Sequence, residues 1–331
     1  MLDKNIVFKN LKECKVLVTP TSFARYNKNL AKNLEDEVGE VIYNTTGKPL
    51  KEEDLIPIIG KFDAMIAGLD EITSKVIENA KNLKIIARYG TGVDKVDLEA
   101  AKKAGIYVTN TPGANSVSVA ELTIGLAIAA ARNIITADIE TKKGGWPRLS
   151  GISLRNKTFG IIGFGSIGKE LAKRLSLFEM KILAYDIYFD KEFALKYNVE
   201  QVSLENLFKK SDFISLHAPV TPETINIINK ENLEKVKEGV IIINTARGEL
   251  IDEDALYDSL VSGKVKAAAL DAFKKEPPDA NNKLLTLKQV IVTPHMGAAT
   301  DNASDEMTRI SIEECIAVLK GKKPKFAVIE P

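Results

Sequence analysis

An α/β fold is predicted by the way short β-branched runs alternate with amphipathic stretches almost from one end of the chain to the other. The later runs are near-continuously apolar, as parallel strands covered on both faces are. A length of 331 residues suits two domains at about 100 to 200 residues each. In the first third the strand candidates are KVLVTP from Lys15, EVIYN from Glu40, AMIAGL from Ala64, KIIARYG from Lys84 and IYVTN from Ile106. Helical patterns between them run from about Phe23 to Glu37 and through DLEAAKKAG, which Asp97 opens as N-cap and Gly105 stops. From Thr158 a second series reads as six strands: TFGIIG, KILAYD, DFISLHAP, GVIIINTARG, VKAAALDAF and QVIVTPH. After Pro294 only a helix through Ile316 and a short tail remain, too little for a domain. The economical arrangement is discontinuous: residues 1–114 and 299–331 form one domain, and residues 115–298 are inserted as the other. Hinges are expected at Asn110 to Ala114 and Gly297 to Thr300, where TPGA and GAAT break the periodicity.

Composition excludes several classes of function. Forty-six Lys plus Arg against forty-five Asp plus Glu leave a net charge of +1, so no field gathers nucleic acid or an anionic membrane. Doubled lysines such as Lys102-Lys103 and Lys209-Lys210 lie among acids, as solvated helix ends do. At 45% hydrophobic and 27% charged the chain has a globular composition. Its most apolar window, Val119 to Ala131, contains Glu121 and is shorter than the roughly 20 residues of a bilayer span. One helix is predicted from about Ser116 to Lys142, apolar nearly all round and hence covered on every side, by a homodimer interface or by a seam between the two domains. Charges in MLDKNIVFKN break any signal core, so the cytoplasm is expected. Cys14 and Cys315 are the only cysteines, and no Cys/His spacing offers a metal site.

The strongest local signal is Gly163-Phe164-Gly165-Ser166-Ile167-Gly168, a GxGxxG that follows the run TFGII and opens the amphipathic stretch SIGKELAKRL. Gly163 permits a tight turn, Gly165 removes the Cβ that collides with a pyrophosphate, and Gly168 lets helix and strand pack closely. The helix N-terminus offers free N–H groups to the phosphates. Asp186 ends the next strand, eighteen residues after Gly168, where an acid accepts hydrogen bonds from the adenosine ribose. It also disfavours NADP, because a carboxylate about 4 Å from a 2′-phosphate costs roughly 4 kcal/mol per charge pair at an effective dielectric near 20. Reducing a carbonyl needs a proton as well, for which histidine is the best matched side chain near neutrality. The chain has two, His217 in LHAPVTPET and His295 in TPHMGAAT, each at a strand's carboxyl end; a lone histidine there is as often structural. Arg247, in INTARGELIDEDAL, has the planar geometry to clamp a carboxylate bidentately, and reads equally as a salt bridge to Glu249 or Asp252. Glu276, in FKKEPPD, reads on its own as one more loop acid.

Taken together, ARYGTGVDKVDLEAAKKAGIYVTNTPGANSVSVAEL, GIIGFGSIGKELAKRL, LHAPVTPET, INTARGELIDEDAL, AALDAFKKEPP and VTPHMGAAT resemble the D-isomer-specific 2-hydroxyacid dehydrogenases, most closely their D-3-phosphoglycerate dehydrogenase branch. The resemblance implies a Rossmann doubly wound parallel-sheet NAD-binding domain inserted into a discontinuous flavodoxin-like α/β substrate domain. It implies His295 as the acid–base residue and Glu276 as its hydrogen-bond partner, favouring the charged imidazole, with Arg247 on the substrate's carboxylate and keto oxygen. The RYGTG turn, Arg88, Tyr89, Gly90, Thr91 and Gly92, is implied at the substrate, offering backbone N–H groups, with Thr91 also near NAD. Ser166 and Ile167 are implied at the pyrophosphate, and His217, Ala218 and Pro219 beside the adenosine. Thr245 and Ala246 fall under the nicotinamide ribose, Asp271 on the carboxamide, and Gly297 and Ala298 beside the cofactor. The reaction implied is hydride exchange between NAD and 3-phosphoglycerate, as in serine biosynthesis, or alternatively glyoxylate, hydroxypyruvate or another small 2-oxo acid. One departure bears on that choice. Members acting on phosphoglycerate often carry a basic residue after the third strand, where this chain has Ala67-Gly68-Leu69-Asp70, and an aspartate there repels phosphate. Arg88 and Arg148 remain as phosphate partners. The serine-sensing domain of longer members is not expected, nor feedback by that route. A dinucleotide-sensing co-repressor uses the same scaffold, and turnover with a 2-oxo acid separates it from an enzyme.

Overall fold

The computed structural model describes residues 9–331, so the reading of the charged start as incompatible with a signal core lies outside the described residues. The chain forms two compact units. One holds the chain up to Asn115 together with Ala298–Pro331, and the other holds Ser116–Gly297.

In the first unit, β1 (Lys15–Val18), β2 (Glu40–Tyr43), β3 (Ala64–Ala67), β4 (Ile85–Arg88) and β5 (Tyr107–Thr109) make a parallel sheet. Their order, 2-1-3-4-5, is that of a flavodoxin-like doubly wound sheet. β3 and β4 are buried along their whole length, which is why they read as uninterrupted apolar runs. The helix Asp301–Leu319 packs on β3 and β4, setting Ala303, Met307, Cys315 and Val318 among Val16, Ile66 and Ile85. Within the short tail, β13 (Ala327–Ile329) pairs antiparallel with β5 at the sheet edge. One expectation needs correction here. The helix expected from Phe23 starts at Lys28, because Asn27 caps it by accepting from Asn29 N at 3.2 Å. Upstream, Ala24 takes a left-handed φ of 49° and its N–H is held by Thr308 Oγ1 at 3.1 Å, so that stretch forms turns.

The second unit has seven parallel strands rather than six: β6 (Thr158–Ile162), β7 (Lys181–Tyr185), β8 (Val199–Gln201), β9 (Phe213–Leu216), β10 (Val240–Asn244), β11 (Val265–Leu270) and β12 (Val290–Val292). β8 escapes a hydrophobicity pattern because it is a three-residue edge strand with only Val199 buried. The order β12-β11-β10-β9-β6-β7-β8 contains the Rossmann sequence 3-2-1-4-5-6, with β12 added outside. Strand order reverses between β6 and β9, and ligands of such sheets bind outside the carboxyl ends at that point.

The long helix expected from Ser116 to Lys142 is two, Ser116–Ala131 and Ile134–Lys142, bent by 62° where Asn133 adopts a left-handed φ of 53°. Ser116–Ala131 packs on β10, β11 and the helix Ser166–Leu175, burying Val119, Ala120, Leu126, Ala127 and Ala131. Cover is not complete within the unit: Leu122, Ile124 and Ile128 are half-buried, and Ile134, Ile135 and Ile139 are exposed. Among the described residues no single helix is long and apolar enough to cross a membrane; these two pass that test only when joined across the bend. Cys14 and Cys315 are both buried and free, and burial pushes the Cys315 thiol up to about 12, which keeps it from acting as a thiolate nucleophile.

Candidate active site

Apart from Arg148, the site residues expected in the second unit follow the carboxyl ends of β6, β7, β9, β10, β11 and β12, on the connecting turns or, for Ser166, Ile167 and Gly168, at the start of the helix Ser166–Leu175. After β6 the three glycines do three different things. Gly163 has φ +98°, and a Cβ there meets Ala218 N at 2.6 Å. A Cβ on Gly168 falls 2.2 Å from Gly163 O, so only glycine lets the helix approach the strand. A Cβ on Gly165 meets nothing within 4 Å, which leaves open space where a pyrophosphate needs to approach the backbone. The first bond of the helix Ser166–Leu175 runs from Lys169 N to Gly165 O, so the amides of Ser166 and Ile167 have no intrahelical acceptor and suit an anion. Asp186, after β7, accepts from Phe164 N at 2.5 Å and Tyr188 N at 2.7 Å, one bond per oxygen. Each oxygen keeps a second acceptor site for a ribose hydroxyl. These residues fit a dinucleotide.

The two histidines are now distinguishable. His217 hydrogen-bonds Ser215 Oγ through Nε2 at 3.0 Å, and its Nδ1 is buried without a partner. Burial lowers its pKa to about 3, so it is neutral near pH 7 and unable to serve as the acid. It lies on the turn with Ala218 and Pro219, against Gly163. His295 is paired instead: its Nδ1 lies 2.8 and 2.9 Å from the two oxygens of Glu276. Burial pushes the Glu276 carboxyl up, but the hydrogen bond and charge of His295, the N–H of Phe273 and the charge of Arg247 outweigh it and hold the carboxyl below its ordinary value. An ionised carboxylate only accepts, so the proton sits on Nδ1 and Nε2 is left to exchange a proton with a ligand.

Local structure aims these groups. Asn244, fully buried at the end of β10, accepts from Ala246 N at 3.0 Å and donates to Arg247 O at 2.8 Å, which shapes the turn that carries Arg247. Gly248 follows because a Cβ there lies 2.0 Å from Phe273 C, so the Arg247 turn runs directly against the segment leading to Glu276. Thr245 is buried and shares a 2.9 Å hydrogen bond with Thr123, while Ala246 beside it is half-buried. Asp271, at the end of β11, accepts from Thr293 Oγ1 at 2.5 Å, Met296 N at 2.9 Å and Gly297 N at 2.8 Å. Those bonds clamp both flanks of His295, itself held at a left-handed φ of 52°. The role of Asn244 and the loop-holding bonds of Asp271 are absent from the sequence reading. An asparagine before Thr-Ala-Arg is the one signal available for the former.

The first unit carries the RYGTG turn after β4, and Ala298. Arg88 is 3% exposed and donates to Ala67 O at 2.7 Å and Gly92 O at 3.2 Å, so its guanidinium holds the turn. The Tyr89 hydroxyl bonds to Ser304, at 2.9 Å to Oγ, and faces inward. Gly90 N is already used by Thr111 Oγ1 at 3.1 Å and Arg88 O at 3.1 Å, so the turn offers fewer amides than expected. Thr91 and Gly92 retain N–H groups with no protein acceptor among the described residues, while Thr91 Oγ1 lies 3.2 Å from Asn115 Oδ1. Ala298 packs into this unit's core. Asp70 is not a charge facing outward: it is fully buried and accepts from Thr19 Oγ1, Leu50 N at 2.7 Å and Gly68 N at 2.8 Å. Arg148 is exposed, outside any helix or strand.

A dinucleotide cradle and a histidine paired with a carboxylate on one sheet edge define an NAD-dependent oxidoreductase, and comparison with known proteins agrees. Residues 124–297 match the family described as D-isomer specific 2-hydroxyacid dehydrogenase, NAD binding domain. A hydroxypyruvate reductase of Thermotoga maritima is 47% identical over 300 residues, 88% of this chain and 96% of that one. A D-3-phosphoglycerate dehydrogenase of Methanocaldococcus jannaschii is also 47% identical over 300 residues, 89% of this chain but 56% of that longer protein. The crystal structure of D-lactate dehydrogenase from Aquifex aeolicus complexed with NAD and lactic acid superposes with a TM-score of 0.84 at 29% identity, covering 96% of this chain and 99% of that one. The chain belongs to the D-isomer specific 2-hydroxyacid dehydrogenase family.

Proposed function

We propose that the protein reduces a small, unphosphorylated 2-oxo acid of the glyoxylate and hydroxypyruvate class to the corresponding 2-hydroxy acid, of D configuration where the new carbinol carbon is stereogenic. The observation that carries the chemistry is the His295–Glu276 pair on the sheet edge that also bears Arg247. When bound, NAD supplies the redox chemistry by releasing or taking up a hydride. Gly163, Gly165, Ser166, Ile167, Gly168 and Asp186 hold its adenosine half, against His217, Ala218 and Pro219. Thr245, Ala246, Asp271 and Gly297 line the nicotinamide half. Asp271 retains one acceptor site on Oδ2 for the carboxamide. Arg247 binds the carboxylate and keto oxygen. His295 Nε2 gives its proton to the carbonyl oxygen during reduction and recovers it during oxidation, while Glu276 stabilises the charged ring.

Which charged groups are already committed supports this substrate class. Asp70 is spent inside the turn after β3, where Leu69 is exposed and no cation stands. Arg88 is spent on backbone carbonyls. Neither turn offers a partner for a phosphate. The second reading, 3-phosphoglycerate, is supported by the similarity to phosphoglycerate dehydrogenases and by the exposure of Arg148. Initial rates with NADH and hydroxypyruvate, glyoxylate or 3-phosphohydroxypyruvate separate the two. We expect one of the unphosphorylated acids to exceed the phosphorylated one in kcat/KM by at least about tenfold, since losing a charge-assisted hydrogen bond costs roughly 1.5–3 kcal/mol. A higher value for the phosphorylated acid establishes the second reading instead.

The same reading includes a second copy of this chain as partner. Ile134, Ile135, Ile139 and Leu149 are exposed, and Trp146 is 82% exposed, all on the helix and loop that follow the partly uncovered helix Ser116–Ala131. Sedimentation equilibrium is expected to give a dimer for the wild type and a monomer for an Ile135→Asp, Ile139→Asp variant. A wild-type monomer at micromolar concentration contradicts it.

A further inference from the structure

The second residue of the glycine-rich turn is tied to the segment that carries Asp186 by contacts that dinucleotide binding itself does not require. Phe164 is 1% exposed, and its ring stacks on Phe189 at 4.8 Å with the planes 13° apart. Phe193 meets it edge-on at 6.0 Å and 73°, and packs in turn on Tyr197 at 4.6 Å. Phe189 and Phe193 both follow Asp186 in the chain, so the stack joins the turn after β6 to the turn after β7. Polar bonds run alongside. Asp190 accepts from Phe193 N at 3.0 Å and from Lys169 Nζ at 2.6 Å, and Lys169 lies 5.6 Å over the Phe193 ring. In the same place Phe164 N and Tyr188 N donate to the two oxygens of Asp186 at 2.5 and 2.7 Å and so give the carboxylate one orientation. Any residue at position 164 supplies the N–H. A large planar side chain is needed only to stack on Phe189.

We propose that Phe164 is a positioning residue for dinucleotide selection: its ring, seated on Phe189, holds the backbone so that Asp186 stands where a ribose diol is accepted and a 2′-phosphate is refused. The inference rests on the assignment of Asp186 to the adenosine ribose. A fixed carboxylate cannot swing away from an added phosphate, so the like-charge repulsion is felt in full. Once the stack is lost, the carboxylate turns aside and the refusal weakens more than the shared contacts to pyrophosphate and nicotinamide do.

Isothermal titration of NADH and NADPH against the intact protein tests this. The ratio of the two Kd values is expected to fall about tenfold in Phe164→Ala and in Phe189→Ala, and to hold in Phe164→Tyr. In an Asp186→Ala background, Phe164→Ala is expected to leave the ratio where Asp186→Ala put it. Phe189 is only half-buried, so its variant keeps the test open if Phe164→Ala does not fold. Equal weakening of both dinucleotides, with the ratio intact, marks Phe164 as a packing residue and overturns the proposal. If Asp186→Ala itself leaves the ratio unchanged, the ribose assignment has failed and takes the proposal with it; if Asp186→Ala moves the ratio and the phenylalanine variants do not, the proposal alone has failed.

Discussion

Replacing His295 with alanine is expected to lower kcat by about 10²- to 10⁴-fold, the contribution of a positioned proton donor, while the Kd for NADH changes by less than about threefold. The separation follows from the proposed assignment, in which the turns after β6 and β7 hold the adenosine half of the cofactor, whereas His295 lies on the turn after β12. His217 cannot take over, since burial holds its pKa near 3 and its Nε2 is engaged by Ser215. Glu276 sets a pH signature for the pair. Its folded pKa lies below the ordinary 4.5, so the stability it contributes is fully present above that value and is lost as pH falls through the depressed one. The wild type is expected to keep its pairing, and its kcat/KM, to below pH 4.5, and Glu276→Gln to lack that acid-side fall. Steady-state kinetics with NADH titrations measure both. Retention of more than about a tenth of wild-type kcat in His295→Ala contradicts the assignment.

Arg247→Ala is expected to reduce kcat/KM for the oxo acid by about 10²- to 10⁴-fold, since two hydrogen bonds to a charged group at roughly 1.5–3 kcal/mol each are removed. Arg247→Lys is expected to restore only a small part, because an ammonium is a point charge and cannot match a carboxylate and a neighbouring oxygen with a planar fork. The side chain is half-buried and its turn is shaped by Asn244 and Gly248, so truncation leaves the backbone in place. NADH binding is expected to be unchanged. A loss of NADH affinity parallel to the loss of turnover indicates that Arg247 serves the cofactor rather than the acid.

What was legible in the sequence was whatever one residue's own chemistry dictates. β3, β4 and β10 are buried on both faces and so read as apolar runs, and the spacing of Gly163, Gly165 and Gly168 reports three backbone constraints the structure then displays separately. Illegible features depend on a distant partner. β8 and β13 are three-residue edge strands that exist through pairing with β7 and β5, not through their own hydrophobicity. The break at Asn133 needs only one left-handed residue in an otherwise helical pattern. Asp70 carries the same letter whether it repels a ligand or, as here, is consumed by Thr19, Leu50 and Gly68. The same holds for Arg88 and for Asp271, whose bonds to Thr293, Met296 and Gly297 fix the turn under His295. Counting charges locates candidates; counting their hydrogen bonds decides which are available to a ligand.

In the proposed mechanism Arg247 and His295 act on one bound acid. A crystal structure with NADH and oxamate, an unreactive 2-oxo acid analogue, tests it most directly. The oxamate carboxylate is expected on the Arg247 guanidinium at about 2.7–2.9 Å and its amide carbonyl within about 2.6–3.2 Å of His295 Nε2. Oxamate bound by one of these side chains while the other faces elsewhere contradicts it.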